Sequence, residues 1–169
     1  MVETGILAPD ERVELLEGEI ISMAAKKPPH VVVTKLAADY LEQLLDGLAL
    51  VRSQDPVHLN QYSEPEPDIA LVMPPVRRYL EHHPKPEEIF LLIEVADSTL
   101  KFDTNKKARL YAQSNIADYW VVDAPARQIY VFREPVAGIY TQNKVLDDNS
   151  TTTLLAFPSI EVKLIEFFP

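Results

Sequence analysis

The feature that most constrains this chain is the octet Ile89-Phe90-Leu91-Leu92-Ile93-Glu94-Val95-Ala96. Five consecutive apolar residues followed by two more describe a strand covered on both faces. Glu94 sits inside that run, and a buried carboxylate without a partner is expensive. A salt bridge or a hydrogen-bonded structural acid would satisfy it, and so would a metal ion.

The next segment supplies a partner of opposite charge. Asp103 or Thr104 is placed to cap a helix running to about Ser114. At about 100° per residue, Thr104, Ala108, Leu110, Tyr111 and Ala112 share one broad arc, with Lys106, Arg109 and Gln113 opposite. Lys107 falls in the apolar arc, between Leu110 and Tyr111. It is therefore aimed inward, either as a snorkelling side chain at the edge of the stripe or as a functional cation.

A second acid opens another apolar run. In Glu64-Pro65-Glu66-Pro67-Asp68-Ile69-Ala70-Leu71-Val72-Met73 the prolines force an extended lead-in, and alternation puts Asp68 on one face with Ala70 and Val72. An aspartate after proline is also a common turn or cap residue. If the two strands are neighbours, Asp68 and Glu94 converge on one hard cation, with the Val95 carbonyl as a further oxygen donor. Mg2+ suits such a set, because it binds one or two carboxylates and fills its remaining positions with water and substrate phosphate. A bound Mg2+, for which Mn2+ can substitute, activates water, and a nearby lysine orients or deprotonates that water and offsets charge on the phosphoryl group. Two acids and a lysine suffice for metal-assisted phosphodiester hydrolysis, although many α/β chains contain such a trio.

The rest of the chain reads as one domain, residues 1–169. Its 169 residues are 47% apolar and 25% charged, and it has no cysteine, which excludes disulfides and thiolate metal sites. There is no apolar stretch of membrane-spanning length and no signal-peptide pattern, so the expected location is the cytoplasm. A net charge of −10 argues against a broad nucleic-acid-binding surface. Residues 1–19 are acidic; Pro9-Asp10 suggests a turn, then a short helix or turn leads into a strand, Glu19 to Met23. Glu14, between Val13 and Leu15, is the acid expected to face inward. A helix is expected from about His30 to Asp46, closed by Gly47, with His30 at its first turn as a cap, a surface residue or a functional ligand. Short strands are expected at 49–52 and 56–59. The stretch 76–85 looks like an exposed loop or short helix whose adjacent His82 and His83 diverge and do not form a metal site. Strands at 118–123, 128–133, 139–145 and 151–155 suggest an antiparallel meander, followed by a docking tail at 157–164.

The motifs PEPDIALV, LLIEVADST, D-x-x-x-K-x-x-x-Y (Asp103, Lys107, Tyr111) and DYWVVD occur in that order, preceded by ELLEGEI and by His30 ahead of the long helix. This order resembles the Uma-two family of proposed restriction endonucleases, which is similar to the PD-(D/E)XK nuclease superfamily. The resemblance spans nearly the whole chain. It implies an α/β (α+β) fold with a central mixed β-sheet flanked by helices, a restriction-endonuclease-like core and the antiparallel C-terminal meander. By this resemblance Asp68 is the motif aspartate and Glu94 the acid of the E-x-K element. The position of that element's lysine holds Ala96, and Lys107 of the following helix takes its place. Glu14 corresponds to an N-terminal acid that reaches the metal through water, and Tyr111 to a tyrosine one turn past the lysine. Asn115 stands where the family usually has glycine, a position asparagine tolerates.

The resemblance also implies DNA as substrate and a homodimer. Only Lys101, Lys106, Lys107 and Arg109, with Arg77 and Arg78, offer a basic patch, so DNA affinity is expected to be weak or partner-dependent. Two expectations follow. One is a Mg2+-dependent DNA endonuclease with Asp68, Glu94, Lys107 and Glu14 as catalytic groups. The other is a catalytically silent nuclease-like fold serving as a dimerisation or protein-binding module.

Overall fold

The structure is a computed structural model and describes residues 12–169. The expected turn at Pro9-Asp10 lies outside the described residues.

Three strands and one long helix frame the first half: β1 (Val13–Leu16), β2 (Glu19–Ser22), α1 (Pro28–Leu45) and β3 (Leu50–Ser53). Then come β4 (Ile69–Val72), β5 (Ile89–Ala96) and a helical segment, α2 (100–113). The second half holds β6 (Asp118–Asp123), β7 (Gln128–Val136), β8 (Ile139–Asp147), β9 (Thr151–Thr153) and β10 (Glu161–Lys163).

Strands β3 to β8 form one six-stranded sheet in sequence order. All neighbours are antiparallel except β5 and β6, which run parallel and are joined by the α2 crossover. The sheet is covered on both faces, as the apolar octet requires. Leu91, Ile93 and Val95 of β5 pack with Trp120, Val122 and the buried stripe of α1 (Val33, Ala37, Leu41, Leu45). Leu92 and Ala96, on the other face, pack with Tyr119, Val121 and Leu110, Tyr111 and Ala112 of α2. Phe167 closes the first face beside Trp120, which fits the expected docking tail.

Several local expectations are corrected. Among the described residues no helix precedes β2, and of the two alternatives the turn holds: residues 13–16 are a strand, and Glu17 and Gly18, both left-handed (φ 51° and 83°), make the two-residue turn of a β1–β2 hairpin. Residues 56–59 are not a strand. Pro56 offers no N–H, and the facing segment carries Pro65 and Pro67, so only isolated bonds form, such as Val57 N–H to the Pro65 carbonyl at 3.0 Å. The long helix begins at Pro28 rather than His30, because proline is accommodated in a first turn where its missing N–H would have no partner anyway. The meander stops at β8: β9 pairs with β10 in a separate ribbon. Segment α2 starts at Leu100, so Asp103 lies within it rather than capping it. Residues Asp103–Lys107 form a π-helical turn between the α-helical stretches Leu100–Phe102 and Ala108–Gln113. Asn115, left-handed at φ 58°, follows it as expected.

Candidate active site

Alternation along β5 puts Glu94 on the face of Leu92 and Ala96, beneath α2. The β4–β5 register pairs Ile69 with Ile93 and Ala70 with Leu92. One step further brings Asp68 opposite Glu94, on that same face. Asp68 reaches across the gap, and its Oδ2 accepts the Val95 N–H at 2.9 Å. The two acids, 26 residues apart in sequence, therefore meet at one end of a strand pair.

Lys107 descends from α2 onto this pair. Its Nζ donates to Glu94 Oε1 at 2.9 Å and lies 3.2 Å from Glu14 Oε1. Tyr111, one turn on, donates its hydroxyl to the same Glu94 oxygen at 2.7 Å. Glu14 arrives from β1, which docks on the proline-rich lead-in through Glu64 N–H to the Leu15 carbonyl at 2.8 Å. The Glu66 N–H donates to Glu14 Oε2 at 3.3 Å. Lys106, which the helical pattern points outward, instead pairs with Glu19 at 3.0 Å.

Glu14, Asp68, Glu94 and Lys107 line a cavity of about 240 Å³ together with Lys26, His30, Asp97 and Asp103. The electrostatics are strained on the acidic side. Burial pushes the Glu94 carboxyl up to about 8; Lys107 opposes that rise, and Asp68, Asp103 and Glu14 add to it. Burial likewise raises Asp103 to about 6, against the Thr99 hydroxyl bonded to it at 2.6 Å. Asp68 goes the other way. Burial disfavours its charge, but the hydrogen bond and charge of His30 (Nε2 to Oδ2, 3.0 Å) and the Val95 N–H hold it below the usual aspartate range. Burial also disfavours the Lys107 ammonium, yet Glu94, Glu14 and Asp103 keep it above the ordinary lysine value.

A family model described as "Putative restriction endonuclease" (Uma2) matches residues 3–164. The chain belongs to the Uma2 family. A solved structure, a "putative nuclease belonging to DUF820" from Anabaena variabilis ATCC 29413, is similar throughout. Its TM-score is 0.74 at 14% identity, over 98% of this chain and 94% of that one. That likeness establishes the shared nuclease-like fold of this Uma2 chain. No curated protein matches the sequence.

Among the described residues, no three His, Cys, Asp or Glu side chains are already gathered as a closed metal-ligand set. An open site of two carboxylates does not need one. Glu14, Asp68, Glu94 and Asp103 crowd one cavity, and two of them are driven toward protonation by burial and mutual repulsion. Such a donor set is short of positive charge and built of hard oxygens, so the residues fit a divalent cation.

Sequence reasoning placed Asp68, Glu94, Lys107, Glu14 and Val95 at the site, and the structure brings all five together. It missed the support around Asp68. His30 is a partner of Asp68, not a cap; the cap position is Lys27. Asp103 is a cavity acid. Lys26, in an unpatterned stretch, places its Nζ 3.8 Å from Asp68 Oδ1. Only the motif order around His30 and Asp103 signalled either of those two, and nothing in the sequence signalled Lys26. Arg77 and Arg78 follow the far end of β4, so the β4–β5 hairpin separates them from the acids.

Proposed function

We propose that this chain is a metal-dependent DNA endonuclease that hydrolyses phosphodiester bonds at the cavity between β4, β5 and α2. The observation that carries the proposal is the convergence of Asp68 and Glu94, with the Lys107 ammonium, on one cavity. Asp68 and Glu94 would hold Mg2+, or Mn2+ in its place, with the Val95 carbonyl as a further donor. When bound, the ion polarises a phosphoryl oxygen and acidifies a water.

The protein's own groups do the rest. His30 keeps Asp68 ionised and oriented. Tyr111 and Lys107 fix Glu94 through one oxygen. Lys107 has three N–H donors, of which Glu94 takes one by hydrogen bond while Glu14 pairs with its charge at 3.2 Å, so a donor is left for water or a phosphate oxygen. Because its neighbours hold it protonated, Lys107 acts as a donor and a charge rather than as a base. Glu14, 3.2 Å away, is its second anionic neighbour. Cutting both strands of a duplex takes two such sites, which a homodimer supplies.

The test combines plasmid cleavage in Mg2+ or Mn2+ with calorimetric Mn2+ titration. Asp68→Asn, Glu94→Gln and Lys107→Met are expected to lower the cleavage rate about 100-fold or more. Asp68→Asn and Glu94→Gln also lose the saturable Mn2+ site, and each variant still melts cooperatively. Wild-type protein that neither binds Mn2+ nor cuts duplex or single-stranded DNA overturns the proposal. That outcome would instead favour the silent dimerisation or protein-binding module. The observation on its side is that Glu94, Lys107 and Glu14 already satisfy one another.

A further inference from the structure

Lys26 is a cavity cation whose ammonium is buried with its hydrogen bonds unmade among the described residues. Its Nζ is enclosed, with 13% of the side chain exposed, and has no hydrogen-bond partner among the described residues. The nearest acid oxygen, Asp68 Oδ1 at 3.8 Å, lies beyond hydrogen-bonding distance. Lys107 differs in this respect, since two carboxylates take it up. An enclosed ammonium with its donors unused is costly unless something completes it.

The position of Lys26 is fixed by its surroundings. Lys27, next in the chain, is tied to Asp97 at 3.1 Å, which pins the segment to the loop after β5. On the other side the Met23 N–H donates to the Arg12 carbonyl at 2.9 Å, and Pro28 and Pro29 start α1. Ala24 and Ala25, next to it in the chain, line the same cavity with their small side chains.

We infer that Lys26 is a phosphate-binding residue, donating to a non-bridging oxygen of the DNA phosphodiester from the Asp68 side of the cavity. This rests on the endonuclease reading above. The phosphate supplies the missing acceptor, and two cations then flank the reacting group: Lys107 from α2, holding the acids, and Lys26 from the segment before α1, holding the substrate. The alternative is that Lys26 only neutralises Asp68.

The experiment compares wild type, Lys26→Met and Lys26→Arg. One arm measures binding of a duplex oligonucleotide in Ca2+, across a salt series. The other measures calorimetric Mn2+ binding without DNA. Lys26→Met is expected to weaken DNA binding about tenfold at low salt. It should also lower the salt slope by about 0.9, the loss of one phosphate contact. Its Mn2+ affinity should stay the same or rise, since a cation beside Asp68 is removed. Lys26→Arg should restore the salt slope. An unchanged slope in Lys26→Met, with wild type binding both Mn2+ and DNA, overturns this inference and leaves the endonuclease reading standing. Wild type binding neither overturns both.

Discussion

Glu94 and Lys107 form a buried charge-assisted hydrogen-bonded pair that Glu14 and Tyr111 extend, and the pair matters more through its failure than through its presence. Removing one partner strands the others. Lys107→Met alone is expected to cost about 3–5 kcal/mol of unfolding free energy. Adding Glu94→Gln should recover part of that loss, measured as a coupling in a double-mutant cycle by denaturant unfolding. The same acids set the pH dependence of the metal-free protein. Glu94 rises from 4.5 to about 8 on folding, and Asp103 from 3.8 to about 6. The folded state therefore holds more protons than the unfolded chain across those windows. The stability from these two groups is complete below their unfolded values and is lost as pH rises through about 6 and then about 8. Asp68 works in the opposite sense: its depressed value lends stability that disappears on acidification. Thermal melts of apo protein should show Tm falling between about pH 5 and 8. Glu94→Gln should flatten the upper part of that fall, and saturating Mg2+ should flatten it in wild type.

Segment α2 carries two kinds of information at once. Its apolar arc docks it on the sheet through Leu110, Tyr111 and Ala112, and that arc is visible as a helical period. The π-helical turn at Asp103–Lys107 is not visible in the period, because a single wide turn leaves the spacing on either side of it intact. It nonetheless decides which way Asp103 points, since it offsets the first turn from the rest. Deleting Asn105, an exposed residue of that turn, is expected to restore a continuous α-helix. Lys107 and Tyr111 would keep their relation to Glu94, while Asp103 would swing about 100° away from the cavity. Helical circular dichroism should persist, and the Tm decline near pH 6 should vanish. The turn after α2 is a separate constraint. Asn115 is left-handed, so Asn115→Gly should be tolerated, whereas Asn115→Val should cost about 1–2 kcal/mol in thermal or urea unfolding.

For the whole molecule, the proposed function sets a polyanionic substrate against a net charge of −10. DNA binding should therefore be confined to low salt and fall steeply between about 50 and 200 mM. The structure narrows which cations contribute. Lys101 is exposed at the start of α2, beside the cavity wall of Ser98, Thr99 and Phe102, whereas Arg77 lies beyond the opposite end of the β4–β5 hairpin. Lys101→Ala should weaken duplex binding and reduce its salt slope by about 0.9, and Arg77→Ala should change neither, in the same salt series of duplex binding in Ca2+. No described helix is long and apolar enough to cross a membrane. What the sequence determined by itself was whatever repeats along the chain or offends locally. The doubly covered strand with an acid inside it, the lysine in an apolar arc and the aspartate opening a strand each break a short-range pattern, so Glu94, Lys107 and Asp68 could be read directly. Strand order, the parallel β5–β6 pair and the β9–β10 ribbon were decided in three dimensions, because pairing depends on which distant segments meet and not on either segment's period. The same holds for His30, Lys26 and Asp103. Each is an ordinary polar residue in its own stretch, and it acquires neighbours only where folding brings the segment around the start of α1 and the segment after β5 to one cavity.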